Sequence, residues 1–181
     1  MAKKQVSKEL LQRWNERVSL ISRTTFDLGE SEAVREERVK RAKKDYAFFV
    51  RTYFPHLATS ETSKFQVDAA QYIVYNTRAR ALFEWARGHA KSTHLGCLIP
   101  LWILARGEKK ELFHFMVLVS KSEDAAKGLL LDLQAELSTN DAYIHDFNIK
   151  ADKGTEWQTG KFSISDGTTF IALGRGQSLE D

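Results

Sequence analysis

Residues 81 to 105 constrain the fold more than any other stretch. Ala81-Leu82-Phe83-Glu84-Trp85-Ala86 is a short apolar run, Arg87-Gly88-His89-Ala90 a tight turn, and Lys91-Ser92-Thr93 a polar lead into an apolar, helix-like run over 95–105. Strand, tight loop, Lys-Ser/Thr and helix, in that order, is the layout of a phosphate-binding loop. The backbone N–H groups of such a loop wrap a phosphate, and the helix N-terminus adds its partial positive charge. In that layout Lys91 reaches the β- and γ-phosphates and Ser92 ligates Mg²⁺. The standard pattern has Gly directly before the Lys and another Gly five residues before that one. Here Ala90 and Trp85 stand in those places, and Gly88 is the loop's one glycine. Alanine tolerates a positive φ poorly, so this loop must differ from the standard one in detail. Lys-Ser-Thr ahead of an apolar helix also reads as an ordinary helix start with polar first-turn residues.

The flanking segments supply the rest of the expected architecture. Residues 6–23 read as an amphipathic helix, with Leu10, Leu11, Trp14, Val18 and Ile21 at helical spacing and Ser7 as N-cap. Residues 31–53 read as a second, charged helix that Pro55 stops. Its basic run, Arg38, Lys40, Arg41, Lys43 and Lys44, is either a contact for nucleic acid or a solvated face balanced by Glu32, Glu36, Glu37 and Asp45. Residues 63–76 predict a third helix capped by Ser63, and 80–86 the first core strand. The helix over 94–105 should kink or lose regularity at Pro100. Residues 112–120 are almost continuously apolar, as a buried parallel strand reads, and 121–138 are an amphipathic helix with Ala125, Leu129, Leu133 and Leu137 four apart. Strand–helix–strand–helix order implies an α/β fold with a parallel sheet. After Asn140 the pattern changes: Asp166-Gly167 marks a turn between strand-like runs at 161–165 and 168–173.

Composition narrows the classes. A chain of 181 residues holds one domain with a real core and room for a helical appendage. The net charge of +3 is compatible with a polyanionic partner without demanding one. Cys97 is the single cysteine, so an internal disulfide is impossible; it reads as a small buried hydrophobe in a reducing compartment. The start of the chain leads into a charged helix rather than an apolar leader, and the longest apolar runs are too short to span a bilayer. The spacing of His89, His94, His114 and His145 fits no metal site. Glu123 and Asp124 suit the N-terminal dipole of the helix they open, and Trp14, Trp102 and Trp157 read as packing residues.

Four stretches together resemble the ATPase part of the large terminase subunit, the DNA-packaging motor of tailed bacteriophages and prophages. They are Phe65-Gln66, the 85–93 loop, Val117-Leu118-Val119-Ser120-Lys121-Ser122-Glu123-Asp124-Ala125-Ala126, and Thr168-Thr169-Phe170-Ile171-Ala172-Leu173-Gly174-Arg175-Gly176-Gln177-Ser178. The resemblance covers roughly residues 44–178, and its most specific parts are Arg87 four residues before Lys91 and the late Gly-Arg-Gly-Gln-Ser. It implies a P-loop NTPase-type parallel sheet flanked by helices, incomplete at the C-terminus, with an N-terminal helical extension. The implied division is a helical region over 1–60 and a partial ATPase domain over 61–181. The implied cofactors are ATP and Mg²⁺. Arg87 and Lys91 would be the catalytic cations, and Gln66, Arg87, Gly88, His89, Ala90, Lys91, Ser92 and Thr93 the nucleotide-binding set. Ser92 would be the metal ligand, and Gln66 would recognise adenine. Double-stranded DNA, a small terminase subunit, a portal protein and further copies of the chain are the implied partners, with no membrane, in the cytoplasm of the bacterial host.

An ATPase of this type needs an apolar strand ending in acidic residues. No such strand follows the loop; Glu180-Asp181 lacks the apolar run before it, and the family's nuclease carboxylates are absent. The expectation is therefore a fragment, a truncated prophage gene or one piece of a split gene, which binds nucleotide weakly, hydrolyses little and self-associates. Another DNA-linked P-loop ATPase of helicase type and a degenerate loop in an interaction module are the competing readings.

Overall fold

The computed structural model describes residues 8–22, 29–76, 78–107, 115–149 and 160–177. Within them the chain is a mixed α/β molecule whose small sheet is flanked by helices. Helix α1 spans Lys8–Ile21 and buries Leu10 and Ile21, two members of the predicted apolar stripe. Ser7 and Arg23 lie outside the described residues.

The single helix expected over 31–53 is two helices, α2 (Glu32–Lys44) and α3 (Tyr46–Tyr53). Asp45 breaks them apart. Its backbone is extended, and its carboxylate accepts a hydrogen bond from the Phe48 N–H at 2.9 Å. An aspartate that caps a new helix offers the backbone an alternative to continuing the old one. The break turns Tyr46, Phe49, Val50 and Tyr53 inward, whereas Ala42 is the one buried residue in α2.

Helix α4 (Lys64–Tyr75) starts where Ser63 predicts. The next helical run is continuous from residue 91 to 106, in three parts: α5 (Lys91–Thr93), a π-helical turn (His94–Leu98) and α6 (Ile99–Arg106). Pro100 lacks the N–H that a regular helix would need there, and the π turn just before it absorbs the mismatch. Gly107, with φ 64°, ends the run.

The sheet has the order β1-β3-β2, with β1 over Phe115–Ser120, β2 over Lys161–Ser163 and β3 over Thr169–Gly174. β1 and β3 are parallel, with Val117 opposite Ile171; β2 and β3 form the expected hairpin, with Phe162 opposite Phe170. Gly167 takes φ 88° in the turn, and the Asp166 carboxylate accepts from the Thr168 N–H at 2.9 Å. Residues 80–86 are not a strand: they join no sheet pairing, and Leu82 is 85% exposed. β1 is half-buried on one face and open on the other, since Met116 and Leu118 are partly buried while Phe115 is 67% and Val119 65% exposed. Residues 112–114 lie outside the described set.

Helix α7 (Glu123–Thr139) follows β1 and packs on β1 and β3, and α1 packs on α7 in turn. Arg13 donates to both Asp132 oxygens, at 3.0 and 2.5 Å. A short helix, α8 (Asp141–Phe147), was not expected; the Asn140 side chain caps it by accepting from the Tyr143 N–H at 3.1 Å. The buried Asp146 carboxylate then ties α8 to the N-terminal helices, accepting from Arg35 at 3.2 Å, Arg38 at 2.9 Å and Tyr53 at 2.6 Å. Burial alone would raise the Asp146 pKa, but hydrogen bonds from Tyr53, His145 and Arg38 outweigh it and leave it lowered.

One apolar cluster joins α2, α3, α4, the 94–106 run, α7, α8 and the sheet. Trp102 sits at its centre, 5.0 Å from the Tyr46 ring, and donates from its indole N–H to the Ala42 carbonyl at 2.9 Å. Cys97 is buried there, and burial pushes its thiol pKa up, so it is an inert hydrophobe. Trp14 is half-buried, and Trp157 lies outside the described residues.

Candidate functional site

Two elements shape the loop before α5. The first is α4, whose opening turn presents Phe65 and Gln66. The second is the 91–106 helical run, whose first turn carries Lys91, Ser92 and Thr93. Between them, Gly88 takes φ 83° and Ala90 takes φ 52°, ψ 31°, a left-handed conformation. An L-residue with a Cβ is uncommon there, and strain of this kind gathers at functional sites. The difficulty foreseen for alanine at this position is thus present as backbone strain directly before Lys91.

The His94 N–H makes the first helical bond, to the Ala90 carbonyl at 2.9 Å. The N–H groups of Lys91, Ser92 and Thr93 find no backbone acceptor among the described residues. They are the orphan donors of a helix start, with the dipole's positive end behind them. Residues 86–92 are all exposed. Arg87 and Lys91 have no carboxylate partner among the described residues. Two unpaired cations, open N–H groups and the Ser92 and Thr93 hydroxyls within seven consecutive residues can hold a polyanion.

Behind the loop lies a buried support that the sequence does not signal. The Tyr46 hydroxyl and His94 Nδ1 share a hydrogen bond at 2.8 Å. Trp85 meets the His94 ring edge-on at 6.1 Å and the Phe65 ring at 5.1 Å, and Phe65 in turn lies 5.4 Å from the His89 ring. Burial lowers the His94 pKa to about 4, so the imidazole is neutral at pH 7. Tyr46 and His94 stand 48 positions apart, and no local pattern links them.

Gln66 is brought to the loop, but its amide is turned toward protein groups. Its Oε1 accepts from the Ser63 N–H at 2.8 Å, and its Nε2 donates to the His89 carbonyl at 3.1 Å. The Gly174–Gln177 turn is held elsewhere. Gln177 accepts from the Gly174 N–H at 2.6 Å and donates to Glu123 at 2.9 Å, while the Arg175 N–H donates to the Ser120 carbonyl at 3.0 Å. The turn therefore fastens the ends of β1 and β3 to the start of α7. Ser178 and the 178–181 segment, with Glu180 and Asp181, lie outside the described residues.

Among the described residues no group of three His, Cys, Asp or Glu side chains could hold a metal ion. His94 bonds to Tyr46 and His145 to Asp146, and His114 lies outside the described set. No helix of the described residues is long and apolar enough to cross a membrane. No protein-family model, curated protein or solved structure matches this chain.

Proposed function

We propose that residues 87–93 bind the phosphates of ATP, and that the chain is the nucleotide-binding part of a DNA-packaging ATPase of the large-terminase type. The observation that carries this reading is the conformation of the loop. Ala90 is held left-handed directly before Lys91, and Arg87 and Lys91 stand unpaired among the described residues beside the open N–H groups of a 91–106 helical run. A protein gains no stability from such strain, so its retention points to a ligand that uses the geometry.

In this reading the Lys91 ammonium and the Arg87 guanidinium neutralise phosphate charge, and Arg87 is suited to a transferring phosphoryl group through its planar fork. The exposed Ser92 hydroxyl would supply a protein oxygen to Mg²⁺. Mg²⁺ held there would offset the charge of the phosphates. The remaining parts of the proposal rest on the resemblance. These are a P-loop-type sheet, double-stranded DNA as the translocated partner, a small terminase subunit, a portal protein and further copies as assembly partners, and the cytoplasm of a bacterial host as the setting.

A second reading, an interaction module with a loop that has lost its nucleotide, is favoured by one observation. The apolar face of β1, with Phe115 and Val119, is exposed. A Mg·ATP titration of the chain and of Lys91→Ala, followed by thermal unfolding, separates the two. Ligand at a hundred times its Kd stabilises the native state by about 2.7 kcal/mol. A shift in the wild type that Lys91→Ala removes supports the phosphate loop. No shift in either protein overturns it in favour of the interaction module.

A further inference from the structure

Resting on the phosphate-loop reading above, we propose that Gln66 is a positioning residue that aims the loop from behind, and that it does not read the nucleobase. An amide that recognises a base edge must offer both its oxygen and its nitrogen to that edge. Here both ends are engaged within the protein, and the residue is only 7% exposed. The oxygen completes the start of α4 through Ser63, and the nitrogen holds the His89 carbonyl. Phe65, its neighbour on the same helical turn, packs against the His89 ring at 5.4 Å. The first turn of α4 thus grips His89 by its ring and by its backbone.

That grip has a consequence for the ligand. In a planar trans peptide the carbonyl and the following N–H point in opposite directions. Anchoring the His89 carbonyl on α4 therefore turns the Ala90 N–H away from α4 and fixes the plane of the peptide that enters the strained residue. Gln66 acts on the phosphates through this peptide, two residues before Lys91, and makes no contact with the base.

The test uses Mg·ATP, Mg·GTP and Mg·tripolyphosphate, measured by calorimetry on the wild type, Gln66→Glu and Gln66→Met. Glutamate keeps the acceptor for the Ser63 N–H, the familiar partner of a Ser N-cap, but cannot donate to His89. Methionine is neutral and of similar length but loses both bonds, so a weakening common to both variants belongs to the lost donor and not to the added charge. Loss of one hydrogen bond in the support should weaken all three ligands by about tenfold and leave the ATP-to-GTP ratio unchanged. If Gln66 reads the base, tripolyphosphate binding stays constant while the ATP-to-GTP ratio shifts, and the inference falls. A second measurement needs no ligand: hydrogen exchange of the Gln66 side-chain amide in the free protein. Slow exchange supports the tether, and exchange as fast as that of a free glutamine overturns it. Should the wild type bind none of the three ligands, the phosphate-loop reading fails, and the exchange rate still decides whether the tether exists.

Discussion

Ala90 carries the most information of any single residue. In the left-handed region its Cβ crowds the backbone, at a cost of roughly 1–2 kcal/mol. Glycine removes that crowding but adds unfolded-chain freedom worth roughly 0.5–1 kcal/mol. Ala90→Gly should therefore stabilise the protein by about 0.5–1 kcal/mol and raise its urea midpoint at unchanged slope. A lower midpoint would mean that the residue is not strained in solution. His94 makes the second residue-scale prediction. Its folded pKa of about 4 lies below the ordinary histidine value of 6.5, so its contribution is complete above pH 6.5 and is lost as the pH falls toward 4. About 2 kcal/mol of stability should disappear between pH 7 and pH 5, and His94→Gln should flatten that slope in urea titrations at the two values. Asp146, whose pKa is also lowered, acts in the same direction at lower pH: its contribution is complete above the ordinary carboxylate range and is lost as the pH falls below it. The strain at Ala90 was legible in the sequence, because alanine stands where the standard motif has glycine. The Tyr46–His94 support was not, because burial and a long-range partner create it and neither leaves a local pattern.

At the scale of elements, two glycines with close neighbours should behave differently on substitution. A Cβ on Gly174 would lie 2.6 Å from the Glu123 backbone nitrogen and 3.2 Å from the Gln177 oxygen, at the junction of β3 and α7. Neither the α7 N-terminus nor the sheet can move aside, so Gly174→Ala should cost about 1–3 kcal/mol. A Cβ on Gly128 meets only the guanidinium end of Arg13, at 2.9 Å, an exposed side chain that can shift at the cost of loosening its bonds to Asp132. Alanine also favours the helix, so Gly128→Ala should change stability by less than about 1 kcal/mol. Equal losses from both substitutions, read by chemical denaturation, would refute the distinction. The elements that periodicity describes well, α1, α4, α7 and the 161–174 hairpin, were legible in advance. Those decided by competition were not. Asp45 reads as one more charge in a helix until its carboxylate is seen capping the next one. Asn140 does the same for α8. The apolar run over 81–86 has the composition of a strand, but a strand also needs a partner, and the described sheet offers it none.

Over the whole molecule, the helices and the sheet share one core, yet the sheet is covered unevenly. Met116 and Leu118 pack toward that core, while Phe115, Val117 and Val119 alternate with them and stay exposed. Ile171 and Leu173 on β3 lie beside Val117 and Val119 in register but are half-buried, so the exposed apolar side chains are those of β1. Among the described residues β1 pairs only with β3, and its sequence, Phe-Met-Val-Leu-Val-Ser, contains no charge or proline to blunt the free edge. An edge of that kind invites pairing with another chain. The molar mass of the purified chain in light scattering should accordingly rise with protein concentration. Val119→Lys puts a charge on the strand at a site that is 65% exposed, so it should suppress the rise and alter folding stability by no more than about 0.5 kcal/mol. A mass that stays monomeric at every concentration would instead show that three exposed apolar side chains on one strand are too few to drive pairing. A rise that survives Val119→Lys would move the association to another face of the molecule.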